Sequence, residues 1–173
     1  MTPAPRRTSE ALRPGPLVPP QGGRRNFYLH PGQVFASDEP TVVTTVLGSC
    51  VSVCLWDSTS RVGGMNHYVL PHLVPTDLSS PRFADIAMRD LVQRLLHLGA
   101  RRGSLEAKVF GGACLSQMAA RPGRRPLGDE NVARALAVLE EERIPVVATD
   151  TGGGRGRKLM FHTDDGTVWL KAL

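Results

Sequence analysis

The chain has 173 residues, 41% apolar and 21% charged, the balance of one globular domain large enough to bury a substantial core. The net charge of +5 would suit a nucleic-acid binder, but residues 1–25 hold five arginines against Glu10 alone, so four of the five excess charges belong to that stretch. The remainder has no phosphate-binding footprint, and no nucleic-acid partner is expected. No apolar run approaches the roughly 18 residues of a membrane span, and no apolar segment follows the N-terminal arginines, so neither insertion nor export is expected and the cytoplasm is the expected location.

Residues 1–25 carry six prolines and little apolar periodicity, which predicts a disordered tail ahead of one domain over 26–173. Asn26 to His30 reads as a first strand, closed by Pro31-Gly32, and Gln33 to Ala36 as a second. Thr41 to Leu47 is rich in β-branched residues. In the next strand Val51, Val53 and Leu55 alternate with Ser52, Cys54 and Trp56. Val62 to Leu70 is extended again, with Gly63-Gly64 marking a bulge or a close backbone approach.

Ser80-Pro81 is expected to open the first helix as cap and first helical residue, followed by Ala84, Ala87, Met88, Leu91, Val92, Leu95 and Leu98, with Gly99 as the stop. Leu105 to Phe110 returns to strand. Asp129 is expected to cap a second helix with Val132, Ala135, Leu136 and Leu139 as its apolar stripe. Pro145 to Thr149 is a strand, the glycine-rich Gly152 to Gly156 a connection, and Lys158 to His162 and Thr167 to Leu170 a hairpin about Asp164-Asp165-Gly166. About eight strands and two main helices, without a repeat, predict an α/β layered sandwich with a mixed sheet covered by helices on one side.

Three cysteines are too few for a disulfide framework and are expected to be reduced. Cys50 stands at a small-residue corner, Gly48-Ser49-Cys50, between two strands, and His67 follows 17 residues later in Asn66-His67-Tyr68. A thiol at such a turn, with an imidazole as base and then acid, is the equipment of a cysteine hydrolase, and backbone N–H groups at Ser49 and Val51 are the candidate oxyanion donors or substrate-positioning groups. The same residues also fit a buried apolar cysteine beside a core histidine. Zinc is the third reading, from Cys50, Cys54, His67 and His72, but cysteines four apart in a strand lack the tight turn of paired zinc ligands, so no metal is expected. Gly152 to Lys158 lacks the phosphate-loop spacing and leads into a strand, so no nucleotide cofactor is expected.

Taken together, Leu47-Gly48-Ser49-Cys50-Val51-Ser52-Val53, Gly64 to Pro71, Phe83 to Met88, Ala107 to Ala113 and Ile144 to Asp150 with Gly152-Gly153 resemble the CheD family of chemoreceptor glutamine deamidases, over about residues 26–173. The resemblance implies an α/β/β sandwich, a catalytic trio on Thr44, Cys50 and His67, and conversion of glutamines in methyl-accepting chemoreceptors to glutamate. It also implies contact with a CheC-type phosphatase; a non-enzymatic adaptor binding receptors and that phosphatase is the alternative. Strand alternation allows only one of Thr44 and Thr45 to orient His67, and the family spacing selects Thr44. One departure is Gly128-Asp129-Glu130-Asn131, where members often carry Gly-x-Arg-Asn.

Overall fold

The computed structural model describes residues 23–73, 79–115, 123 and 125–173. Most of the expected disordered tail therefore lies outside the described residues, as do positions 74–78, 116–122 and 124. Among those described, the elements run β1 (Arg25–Tyr28), β2 (Gln33–Ser37), β3 (Thr41–Leu47), β4 (Val51–Asp57), β5 (Val62–His67), α1 (Ala84–His97), β6 (Leu105–Gly111), α2 (Leu127–Glu141), β7 (Val146–Thr151), β8 (Arg157–His162) and β9 (Val168–Ala172). At the entry of β1 the Arg24 guanidinium forms a two-pronged pair with Asp164 at 2.8 Å and ties that strand to the β8–β9 hairpin.

Two mixed sheets form, ordered β1-β3-β8-β9 and β2-β5-β4-β6-β7. The central strands of the second sheet, β4 and β5, are buried almost throughout on both faces. One face packs under α1 and α2, joining Val53, Leu55, Val109, Leu91, Leu95 and Leu139. The other meets the first sheet through Cys54, Met65, Phe110, Leu47, Leu159 and Phe161. Helix, sheet, sheet is thus the order of the layers, as expected for an α/β/β sandwich. At Gly64 the expected close approach is real: a Cβ there would stand 2.7 Å from both the Phe35 carbonyl and Leu91 Cδ1, so only glycine lets α1 and β2 close on β5.

Both helix starts differ from expectation. The first helix begins at Ala84, with Phe83 at the cap position and no side-chain cap. Ser80 instead makes a preceding turn, its carbonyl accepting from Phe83 N–H and its hydroxyl from Arg82 N–H. The reason is an isolated parallel bridge between Phe83 and Leu70, which holds the chain extended until that point. The second helix begins two residues before Asp129, because Pro126 precedes Leu127 with an extended ψ of 143°. Its buried stripe is Gly128, Asn131, Ala135, Val138 and Leu139, rotated from the expected one, and Leu136 is exposed. A polar asparagine therefore sits in the buried stripe.

Candidate active site

The corner Gly48-Ser49-Cys50 joins β3 of one sheet to β4 of the other, so the chain crosses between layers at the thiol. Three consecutive carbonyls fasten it. Gly48 C=O accepts from Ala113 N–H at 2.8 Å, Ser49 C=O from Asn131 Nδ2 at 3.0 Å, and Cys50 C=O from Gly112 N–H at 2.8 Å. Gly111, with φ of 109°, makes this closeness possible, since a Cβ there would lie 2.2 Å from the Cys50 carbonyl oxygen.

Just beyond β5, Tyr68 pairs with Val51 through hydrogen bonds of 3.0 and 3.2 Å. Both side chains of that pair enter the helix-side core. By the two-residue period of a strand, Cys50 and His67 project to the opposite face, toward the other sheet, as diagonal neighbours across the two strands. Cys50 is half-buried against the inter-sheet core, and His67 is 1% exposed.

The partner of His67 is Thr45. Thr45 Oγ1 lies 2.8 Å from His67 Nδ1 and donates to the Leu29 carbonyl at 2.7 Å. A hydroxyl has one proton; with that proton on Leu29, the oxygen can only accept, so Nδ1 carries the imidazole proton. Nε2 then presents a bare lone pair, and it has no hydrogen-bond partner among the described residues. Thr44 lies on the other face of β3 and is partly exposed, so the hydroxyl that meets the His67 ring is that of Thr45 and not that of the expected Thr44. The Val51 N–H is likewise unavailable as an oxyanion donor, because it donates to the Tyr68 carbonyl. The amides of Ser49 and Cys50 have no backbone acceptor among the described residues.

Electrostatics make the resting pair neutral. Burial pushes the Cys50 thiol above its usual value, opposed by its own N–H and by the Arg82 charge. Burial lowers His67 to about 4, with His30 adding to the effect and the Leu29 carbonyl opposing it. Near neutrality the thiol and the imidazole are therefore both uncharged.

A family model described as CheD chemotactic sensory transduction matches residues 70–172. The chain belongs to the CheD family. Among curated relatives it is 55% identical over 156 residues to the probable chemoreceptor glutamine deamidase CheD 1 of Anaeromyxobacter dehalogenans, covering 90% of each chain. It is 46% identical over 146 residues to the probable chemoreceptor glutamine deamidase CheD of Trichlorobacter lovleyi, covering 84% of this chain and 89% of that one. The corresponding protein of Sulfurimonas denitrificans is 42% identical over 144 residues, with 83% and 92% covered.

Around the CheD corner, a cleft of about 220 Å³ opens beside Ser49, lined by Ala113, Leu115, Pro126 and Leu127. The glycine-rich connection lies at its edge, with Gly153 C=O accepting from Cys114 N–H at 2.8 Å. Cys54, in contrast, is buried in the inter-sheet core with its thiol pushed far up by desolvation. No cluster of three His, Cys, Asp or Glu with metal-holding geometry occurs among the described residues, and no helix among them is long and apolar enough to cross a membrane. Sequence reasoning missed Asn131, a polar residue on the buried stripe of α2. Glu130-Asn131, remote in sequence from the thiol, belongs to the helix turn that abuts it.

Proposed function

We propose that this CheD-family chain is a protein-glutamine deamidase that converts glutamines of methyl-accepting chemoreceptors to glutamate, with Cys50 as nucleophile, His67 as proton carrier and Thr45 holding the tautomer. The observation that carries it is the Thr45–His67 hydrogen bond, which leaves a bare Nε2 on the sheet face that Cys50 shares. The names of the relatives, chemoreceptor glutamine deamidases, support the same substrate.

The chemistry follows from the protonation states. Cys50 Sγ gives its proton to His67 Nε2 as it attacks the side-chain amide carbon. The oxyanion that forms accepts from the amides of Ser49 and Cys50. His67 then protonates the amide nitrogen, the C–N bond breaks, and ammonia leaves a thioester. A water molecule loses its proton to Nε2 and attacks that thioester, giving the glutamate carboxyl and restoring the thiol. The nearby cleft suits an apolar side chain flanking the target glutamine.

Receptor glutamines of this kind lie in cytoplasmic domains, so the cytoplasm is the proposed site of action, and a CheC-type phosphatase is the proposed second partner. Incubating the protein with a receptor cytoplasmic fragment is expected to release ammonia and convert amide to acid by mass spectrometry, and Cys50→Ala is expected to abolish both. Unchanged turnover in that variant overturns the mechanism. Binding of the fragment with its glutamines untouched would instead identify a non-enzymatic adaptor.

A further inference from the structure

We infer that Asn131 is a positioning residue that sets the oxyanion donor by clamping the Ser49–Cys50 peptide, an inference that rests on Cys50 being the nucleophile. Asn131 is fully buried on α2, and its Nδ2 donates to two carbonyls at once, Ser49 at 3.0 Å and Val69 at 2.9 Å. The first belongs to the peptide that ends at the nucleophile; the second lies two residues after His67. One amide group thus fastens the thiol corner to the strand end that carries the histidine.

The consequence for chemistry comes from peptide planarity. In a trans peptide the C=O and N–H point in opposite directions, and no peptide among the described residues is cis. Pulling the Ser49 carbonyl inward onto Asn131 turns the Cys50 N–H the opposite way, where it has no backbone acceptor among the described residues. A donor fixed there before reaction needs no reorganisation when the oxyanion appears. Without the clamp, the Ser49–Cys50 peptide can rotate, because the carbonyls on either side are held independently by Ala113 and Gly112. Asn131 is itself fixed. Its backbone carbonyl accepts the Tyr68 hydroxyl at 2.5 Å, and Gly128, one turn earlier, touches Gly112 so closely that a Cβ would stand 2.3 Å from the Gly112 carbonyl oxygen. Turn, strand and helix therefore meet at this side chain.

Two probes of Cys50 separate positioning from general damage. Acylation by p-nitrophenyl acetate passes through a tetrahedral oxyanion: the thiolate attacks the ester carbonyl and expels p-nitrophenolate. Alkylation by iodoacetamide forms an S–C bond and expels iodide without any oxyanion. Both need the same thiolate, so their ratio cancels changes in its amount. With the Cys50→Ala rate subtracted as background, Asn131→Leu and Asn131→Ala are expected to lower the acylation-to-alkylation ratio about tenfold to a hundredfold. On a receptor fragment the loss is expected in kcat with KM unchanged. An unchanged ratio, or acylation and alkylation falling together, overturns the inference. If the wild-type protein leaves receptor glutamines intact while the ratio still falls in the variants, the deamidase reading fails and the positioning role stands.

Discussion

Thr45 Oγ1 accepts a hydrogen bond from His67 Nδ1–H across 2.8 Å while donating its own to the Leu29 carbonyl. That chain joins the first sheet to the second, and it leaves Nε2 as the imidazole nitrogen without a partner among the described residues. Thr45→Val keeps the β-branched shape and removes the acceptor, so the ring loses its preferred tautomer. The expected result is a fall in kcat for ammonia release of about 10- to 100-fold. Thr44→Val, on the other face of β3, is expected to stay within about twofold of wild type, and the reverse ranking would reject the assignment.

In the proposed mechanism His67 must be neutral to take the thiol proton, and burial lowers its pKa to about 4 from an ordinary 6.5. The acid limb of kcat/KM for ammonia release is accordingly expected near pH 4, with activity holding down through pH 5.5. An inflection near 6.5 would mean that the imidazole is not buried as described.

The same shift couples to stability. Between pH 4 and 6.5 the unfolded chain binds a proton at this histidine that the folded chain refuses, so this contribution to stability is complete above 6.5 and is lost as pH falls toward 4. The difference in unfolding free energy between pH 7 and pH 4 is expected to be larger in wild type than in His67→Gln by on the order of 3 kcal/mol. Urea denaturation at the two pH values measures it; equal differences would contradict the shift.

Cys50 and Cys54 share a face of the inter-sheet core but differ in access, one half-buried and the other 1% exposed. Cys54→Ala is expected to cost about 1–2 kcal/mol through the cavity it leaves, with kcat within about twofold of wild type. A large loss of turnover without loss of stability would move the nucleophile assignment toward Cys54.

Gly111→Ala brings a methyl group 2.2 Å from the Cys50 carbonyl oxygen at a φ of 109°. The strand end must shift, and the thiol corner with it. The variant is expected to lose about 2–4 kcal/mol of stability and, where folded, most of its Cys50-dependent turnover. Thermal melts and ammonia release on the same preparation test the pairing of the two losses.

The alternation of β-branched residues, the Asp-Asp-Gly turn and the helical spacing in α1 were enough to predict the layers, since each follows from the period of its own backbone. The corner and His67 were legible for the same reason: small residues between two apolar strands mark a turn, and a histidine among strand residues is conspicuous. Helix starts were not, because Phe83 is held extended by Leu70 and Leu127 follows a proline, both overriding the local cap signals at Ser80 and Asp129.

What the sequence determined by itself was the set of faces: Thr44 and Thr45 must point oppositely, and Cys50 must sit at a bend. Which face looks at His67 depended on how two sheets stack, and stacking is a property of contacts between β3 and strands far away in the chain. The selection of Thr45, the engagement of the Val51 amide and the reach of Asn131 to Ser49 are all long-range hydrogen bonds of this kind. A periodic pattern specifies direction within one element. Only the packed tertiary structure specifies which directions meet.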